Sequence, residues 1–199
     1  MSEILDRLRG NDPVARAGLA PGSRAAALLE QLASQGVPMA ATGGPLEDVW
    51  HRALADLTAC IHPAVGDQNV LHEGGVYRGT WIESTGTINA EVLARFLPTV
   101  ARDTYLLFAD GVRADGLLPY KVTDAGPSYR QIQIVTPLAR SVWHHHRLYP
   151  DPAFLRRMYD AMVRNDAWLA AYRDTRGTGC VEAFCAFLVK DVGPRCLVR

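Results

Sequence analysis

Tyr77, Arg78, Trp81 and Glu83 stand within a few positions of one another in EGGVYRGTWIESTGTINAEVLAR, residues 73–95. An aromatic face, a guanidinium and a carboxylate this close together suit a polyhydroxylated ligand. A sugar ring can stack on the Trp while the charged groups take its hydroxyls in bidentate fashion. The competing reading is a Gly-rich turn leading into an ordinary helix start, with Trp81 in the core.

Other chemistry-bearing residues lie further along. Arg130, Gln131 and Gln133 follow a Gly-Pro loop, where long polar side chains either reach a ligand or cap a helix. Glu83, Asp124 and Glu182 are loop carboxylates beside aromatic residues. Hydrolysis of a glycosidic bond needs two carboxyl groups, one donating a proton and one activating water or attacking. Sequence spacing alone does not pair these three, and each is equally read as a solvated surface acid. GTWIEST is not a GxSxG elbow, and no GxxxxGK phosphate loop occurs.

The run His144, His145, His146 cannot converge on one metal, because adjacent helical positions point three ways. A helix surface near a C-terminal end, where imidazolium suits the dipole, is the expected setting. CVEAFC lacks the CxxC spacing of a zinc or redox site, so neither metal nor cofactor is expected.

Helices must position these groups. Ser23 is a plausible N-cap for SRAAALLEQLASQG, with Leu28, Leu29 and Leu32 on its apolar face and Gly36 as a stop. PLEDVWHRALADLTACIH sets Leu46, Val49, Trp50, Ala53, Leu54 and Leu57 at helical spacing ahead of Pro63, with His51 expected as a surface or partly buried side chain rather than a ligand. A short extended piece fits GVYRGTWI. Pro98 divides the next helical stretch into two segments or kinks it, and Gly111 is its expected end. Residues 114–130 read as a long irregular connection, of a length that is more often functional than accidental. Residues 129–148 form an apolar helix interrupted by Pro137. Asp151 caps a last helix carrying Phe154, Leu155, Met158, Met162, Trp168 and Leu169 on its buried side. No βαβ alternation and no repeat of constant period occurs, so paired helices in layers fit best, as a bundle, a solenoid or part of a toroid.

Composition narrows the partners. Apolar content of 48% with 21% charged residues describes a globular chain. Lys plus Arg and Asp plus Glu are each 21, so no net charge draws the chain to nucleic acid or an anionic membrane. No window approaches a membrane span and MSEILDRLRG lacks a secretory core, which makes the cytoplasm the expected location. Residues 1–22 read as a leader with little structure, and residues 23–199 as the folded part. The oligomeric state is open.

GGVYRGTWIESTGTINAEVLARF, DGLLPYKV, GPSYRQIQIVTPLARSVW and YRDTRGTGCVEAFC together resemble the amino-terminal half of a bacterial six-hairpin glycoside hydrolase. The likeness runs from about Gly74 to Phe187 and is to the trehalase, glucosidase and mannosylglycerate hydrolase group. It implies an all-α fold, a partial (α/α)6 toroid of helical hairpins, and inverting acid/base hydrolysis of an α-linked sugar. Under it, Tyr77, Arg78, Trp81 and Glu83 form a sugar-binding segment, and Tyr120, Lys121, Arg130 and Gln131 lie on pocket-facing connections. Glu182 matches the acid just ahead of the general-acid motif.

After EAFCAF the chain departs from that pattern, reading LVKDVGPRCLVR where relatives carry a DTGHD-like stretch. Asp191 stands near the place of the general acid but among unlike neighbours. A truncated or frame-shifted gene is the expectation this raises, with catalysis incomplete. The alternative is a helical carbohydrate-binding or scaffold module without catalysis. A terpenoid-cyclase-like or lyase toroid would call for an aspartate-rich metal motif, which the sequence does not show.

Overall fold

The computed structural model describes residues 12–35, 45–64, 68–74, 78–84, 90–129 and 137–182. The described residues are mostly helical. The chain divides into two compact units, Met1–His62 and Pro63–Arg199.

In the first unit, α1 (Pro13–Arg16) is a single turn whose N-cap, Asp12, accepts from the Val14 and Ala15 amides at 2.9 and 3.1 Å. Ser23 caps α2 (Arg24–Ser34), accepting from the Ala26 amide at 3.2 Å, and Ala26, Leu28, Leu29 and Leu32 form its buried stripe. The third helix, α3 (Pro45–Ala59), buries a different face from the one its apolar spacing suggests. Glu47, His51, Leu54 and Thr58 are inside, while Leu46 and Val49 are 61% and 59% exposed. Arg16 accounts for this in part: its guanidinium pairs with the Glu47 carboxylate and reaches Asp48 at 3.1 Å. A carboxylate so matched can be buried, where an unpaired one could not. β1 (Ile61–Pro63) spans the division between the units.

The second unit contains β2 (Asn69–Leu71), β3 (Thr80–Trp81), α4 (Ala90–Leu93), α5 (Pro98–Asp110), β4 (Lys121–Thr123), β5 (Gly126–Ser128), α6 (Leu138–Leu148) and α7 (Pro152–Arg173). Its core gathers Tyr105 and Phe108 of α5, Leu138 and Val142 of α6, and Phe154, Met158 and Ala161 of α7. Pro98 opens α5, where its missing N–H costs nothing, and Gly111 caps its other end. Asp151 opens α7 by accepting from the Phe154 amide at 2.9 Å.

Two buried hydroxyls tie the strands to this core. Thr104 donates to the Val100 carbonyl at 2.7 Å and accepts from the Leu71 amide at 2.9 Å. Thr80 donates to the Leu71 carbonyl at 2.6 Å.

The connection expected to be irregular between α5 and α6 contains regular structure. β4 and β5 form an antiparallel hairpin turned at Asp124–Ala125, and β3 joins the other edge of β4. Each strand is two or three residues long, too short for an alternating pattern to register in sequence. The helix expected over 129–148 is present from Leu138, directly after Pro137, and residues 130–136 lie outside the described residues.

Candidate functional site

The β3–β4 ladder sets Thr80 opposite Val122 and Trp81 opposite Lys121. Directly opposed residues share a face of the sheet. Trp81 and Lys121 accordingly meet, with the Lys121 ammonium 4.8 Å from the centre of the Trp81 ring. The same ammonium lies 5.5 Å from the ring of Tyr120, which is buried. Tyr120 is held by its backbone, donating to the Ser128 carbonyl at 3.0 Å and accepting from the Ile82 amide at 2.9 Å.

The approach to β3 depends on Gly79. Its φ is +121°, and a Cβ there would stand 2.8 Å from the Val122 carbonyl and 2.7 Å from the Thr123 methyl. Only glycine lets the chain pass β4 so closely. On either side of β3, Arg78 is exposed and Glu83 half-buried.

Trp81, Tyr120 and Lys121 are therefore brought together, with Arg78 and Glu83 flanking them along the chain. Tyr77, Arg130, Gln131 and Asp191 lie outside the described residues. Glu182 is engaged locally. Its carboxylate accepts from the Thr175 amide and hydroxyl and from Arg176 Nε at 2.6 Å. The Thr175 hydroxyl and Arg176 hold this carboxyl below the usual range. Asp124, the third loop carboxylate, sits at the hairpin tip on a cavity of about 500 Å³. Val70, Leu107, Val122 and Pro127 form apolar walls of that cavity, and Asp110 and His72 also line it.

A cluster that sequence reasoning did not assemble fixes the far end of this connection. The Asp115 carboxylate accepts from Arg113 at 2.8 and 2.6 Å and from the Trp168 indole of α7 at 2.9 Å. The Arg113 guanidinium lies 5.4 Å from the Tyr129 ring and 5.9 Å from the Trp168 ring. Arg113 first, then the indole N–H, holds the Asp115 carboxyl well below the ordinary range. Tyr129, next to Arg130 in sequence, is anchored here, its hydroxyl donating to the Gly111 carbonyl. The signal in the sequence was VRADG, an Arg two positions before an Asp, but its Trp partner is remote.

The three histidines diverge as expected of adjacent helical positions. His144 Nδ1 faces Glu91 at 3.4 Å, and His146 Nδ1 accepts from the Asp151 amide at 3.1 Å. His145 corrects the expectation of a surface run: it is buried, 2.9 Å from the Pro98 carbonyl. Glu91 also accepts from the Ser141 hydroxyl at 2.8 Å and Arg140 at 3.2 Å, joining α4 to α6. Burial opposes its ionisation, but Ser141, Arg140 and His144 outweigh that and keep its carboxyl below the usual range. Among the described residues no three His, Cys, Asp or Glu side chains group to hold a metal. None of the described helices is long and apolar enough to cross a membrane.

The family model for the mannosylglycerate hydrolase MGH1-like glycoside hydrolase domain matches residues 77–185, more than half the chain. No curated protein matches it. The matched span contains β3, β4, the Trp81–Lys121 pair and the Asp115 cluster.

Proposed function

The chain belongs to the mannosylglycerate hydrolase MGH1-like glycoside hydrolase family, and we propose that it binds an α-linked sugar over Trp81. Residues 23–199 are read as helical hairpins of an (α/α)6 toroid of the six-hairpin class, with residues 1–22 as a leader ahead of them. The trehalase, glucosidase and mannosylglycerate hydrolase group supplies the candidate substrates. Hydrolysis in this reading is inverting, with one carboxyl protonating the leaving oxygen and another activating water.

The observation that carries the reading is the partly exposed aromatic and basic pair made by Trp81 and Lys121, backed by the buried Tyr120 ring, inside the matched span. Ring faces beside fixed polar groups suit a pyranose, whose axial C–H bonds pack on the ring while its hydroxyls take hydrogen bonds. Arg78, Glu83 and Glu182 are proposed as further sugar contacts, with Tyr77, Arg130 and Gln131 on the connections that face it. Asp191 is proposed as the acid.

A carbohydrate-binding module without catalysis is the second reading. Incubating the chain with α-linked gluco- and manno-disaccharides, and following anomeric protons by NMR, separates the two. The hydrolase reading expects the β-anomer of the released sugar to appear first. Appearance of the α-anomer first contradicts inversion. Saturable binding without release supports the second reading, and absence of both overturns the proposal.

A further inference from the structure

We propose that His145 is an acid-sensitive latch, holding α6 across the start of α5 and against the start of α7 and letting go when its ring gains a proton. The ring is 3% exposed. Its Nε2 lies 2.9 Å from the Pro98 carbonyl. A carbonyl only accepts, so Nε2 carries the hydrogen and Nδ1 keeps a lone pair. Nδ1 is buried and has no hydrogen-bond partner among the described residues. A lone pair left unmatched in this way is tolerable; a second N–H on a charged ring is not, because no acceptor among the described residues stands ready for it.

The surroundings reinforce this. The rings of Phe154, Tyr149 and Tyr105 lie 5.1, 5.7 and 6.0 Å from the imidazole, centre to centre. The charged and titratable groups about it come from every packed element. Arg102 of α5 is paired with Asp103 at 3.0 Å, and the Tyr105 hydroxyl is on the same helix. His146 neighbours it on α6, and Tyr149 follows that helix. Asp151, ahead of α7, has a carboxylate oxygen already accepting from the Phe154 amide at 2.9 Å.

Desolvation leads and lowers the proton affinity of His145; the Pro98 carbonyl and Asp151 oppose it, while Arg102 and His146 act with it. A cavity of about 400 Å³, lined by Pro98, Arg102, His145, Tyr149 and Asp151 among others, gives water a route to the ring once the contact loosens.

The sign of the effect follows from linkage. The unfolded chain protonates this ring near its ordinary value of 6.5, and the native chain only at lower pH. Unfolding therefore takes up a proton, and stability falls as pH drops through the unfolded value, levelling off below the native one. Two measurements on the full chain test the latch. Melting is followed from about pH 7.5 to about pH 5 in the wild type and in His145→Gln, which keeps an N–H for Pro98 but does not titrate.

The wild type is expected to lose several degrees of Tm over that range, and His145→Gln markedly less. Should the variant not fold, 15N spectra of the wild-type imidazoles decide: a bare Nδ1 and a native titration below the unfolded value support the latch. A Tm slope unchanged by the substitution, or a native titration at or above the unfolded value, overturns it.

Discussion

Lys121 places its ammonium 4.8 Å from the centre of the Trp81 ring that faces it across the β3–β4 ladder. Two residues forty positions apart in sequence thereby make one surface. The arrangement covers an indole face with a cation and ties a very short strand to its neighbour. Replacing Lys121 by Met is expected to lower stability by about 0.5–1 kcal/mol, the range for a cation over an accessible aromatic face. Urea titration followed by tryptophan emission checks this, and an unchanged midpoint contradicts it.

Gly116 is pinned by both conformation and space. Its φ is +109°, and a Cβ would stand 2.6 Å from the Arg164 carbonyl of α7. Gly126 has a comparable φ of +101° with nothing within 4 Å of such a Cβ. Gly126→Ala should cost only backbone strain, about 1–3 kcal/mol. Gly116→Ala should cost clearly more, because Leu117 and Leu118 must shift off α7 to relieve the overlap. Parallel melting curves of the two variants test the order.

The Asp115 cluster predicts an acid-dependent contribution of its own. Arg113 and the Trp168 indole stabilise the ionised carboxylate, so the native group titrates below its unfolded value. That contribution is present above the unfolded pKa and is lost as pH falls through the native one. Asp115→Asn should therefore lower Tm at neutral pH and flatten the strongly acidic end of the stability profile. Near-UV circular dichroism of Trp168 should change with it, whereas Asp124→Asn at the exposed hairpin tip should leave that signal alone.

The outward and inward faces of α3 give a sharp contrast. Leu54 is buried and Leu46 is 61% exposed, although both belong to the same apolar series in sequence. Leu54→Ala is expected to cost about 2–5 kcal/mol, as for a buried leucine. Leu46→Ser should fall within about 0.5 kcal/mol of the parent, as surface changes do. Denaturant melts of both variants test the contrast between the two faces.

These cases mark what the residues reveal before folding. Helix ends were legible because their causes are local: Ser23 and Asp151 accept from amides three positions on, and Pro98 and Gly111 bound α5. The inward face of α3 was not, since the burial of its Glu47 depends on Arg16, thirty-one positions away. β4 and β5 escaped notice because three residues cannot display a period of two convincingly. Trp81 and Lys121 were each named as sugar-site candidates, but their contact needed the strand register. The Asp115 cluster needed Trp168, which is fifty-three positions away. His145 was one of three equal histidines in the sequence; only packing against Pro98 and Phe154 distinguishes it.

Sugar binding over Trp81 is the central claim, and calorimetric titration of α-linked gluco- and manno-disaccharides into the full chain and Trp81→Leu tests it most directly. The account predicts saturable binding by the wild type and at least about a tenfold loss in the variant, the equivalent of about 1.4 kcal/mol, with helical circular dichroism unchanged. Equal affinity in the two proteins, or no saturable binding by the wild type, would contradict it.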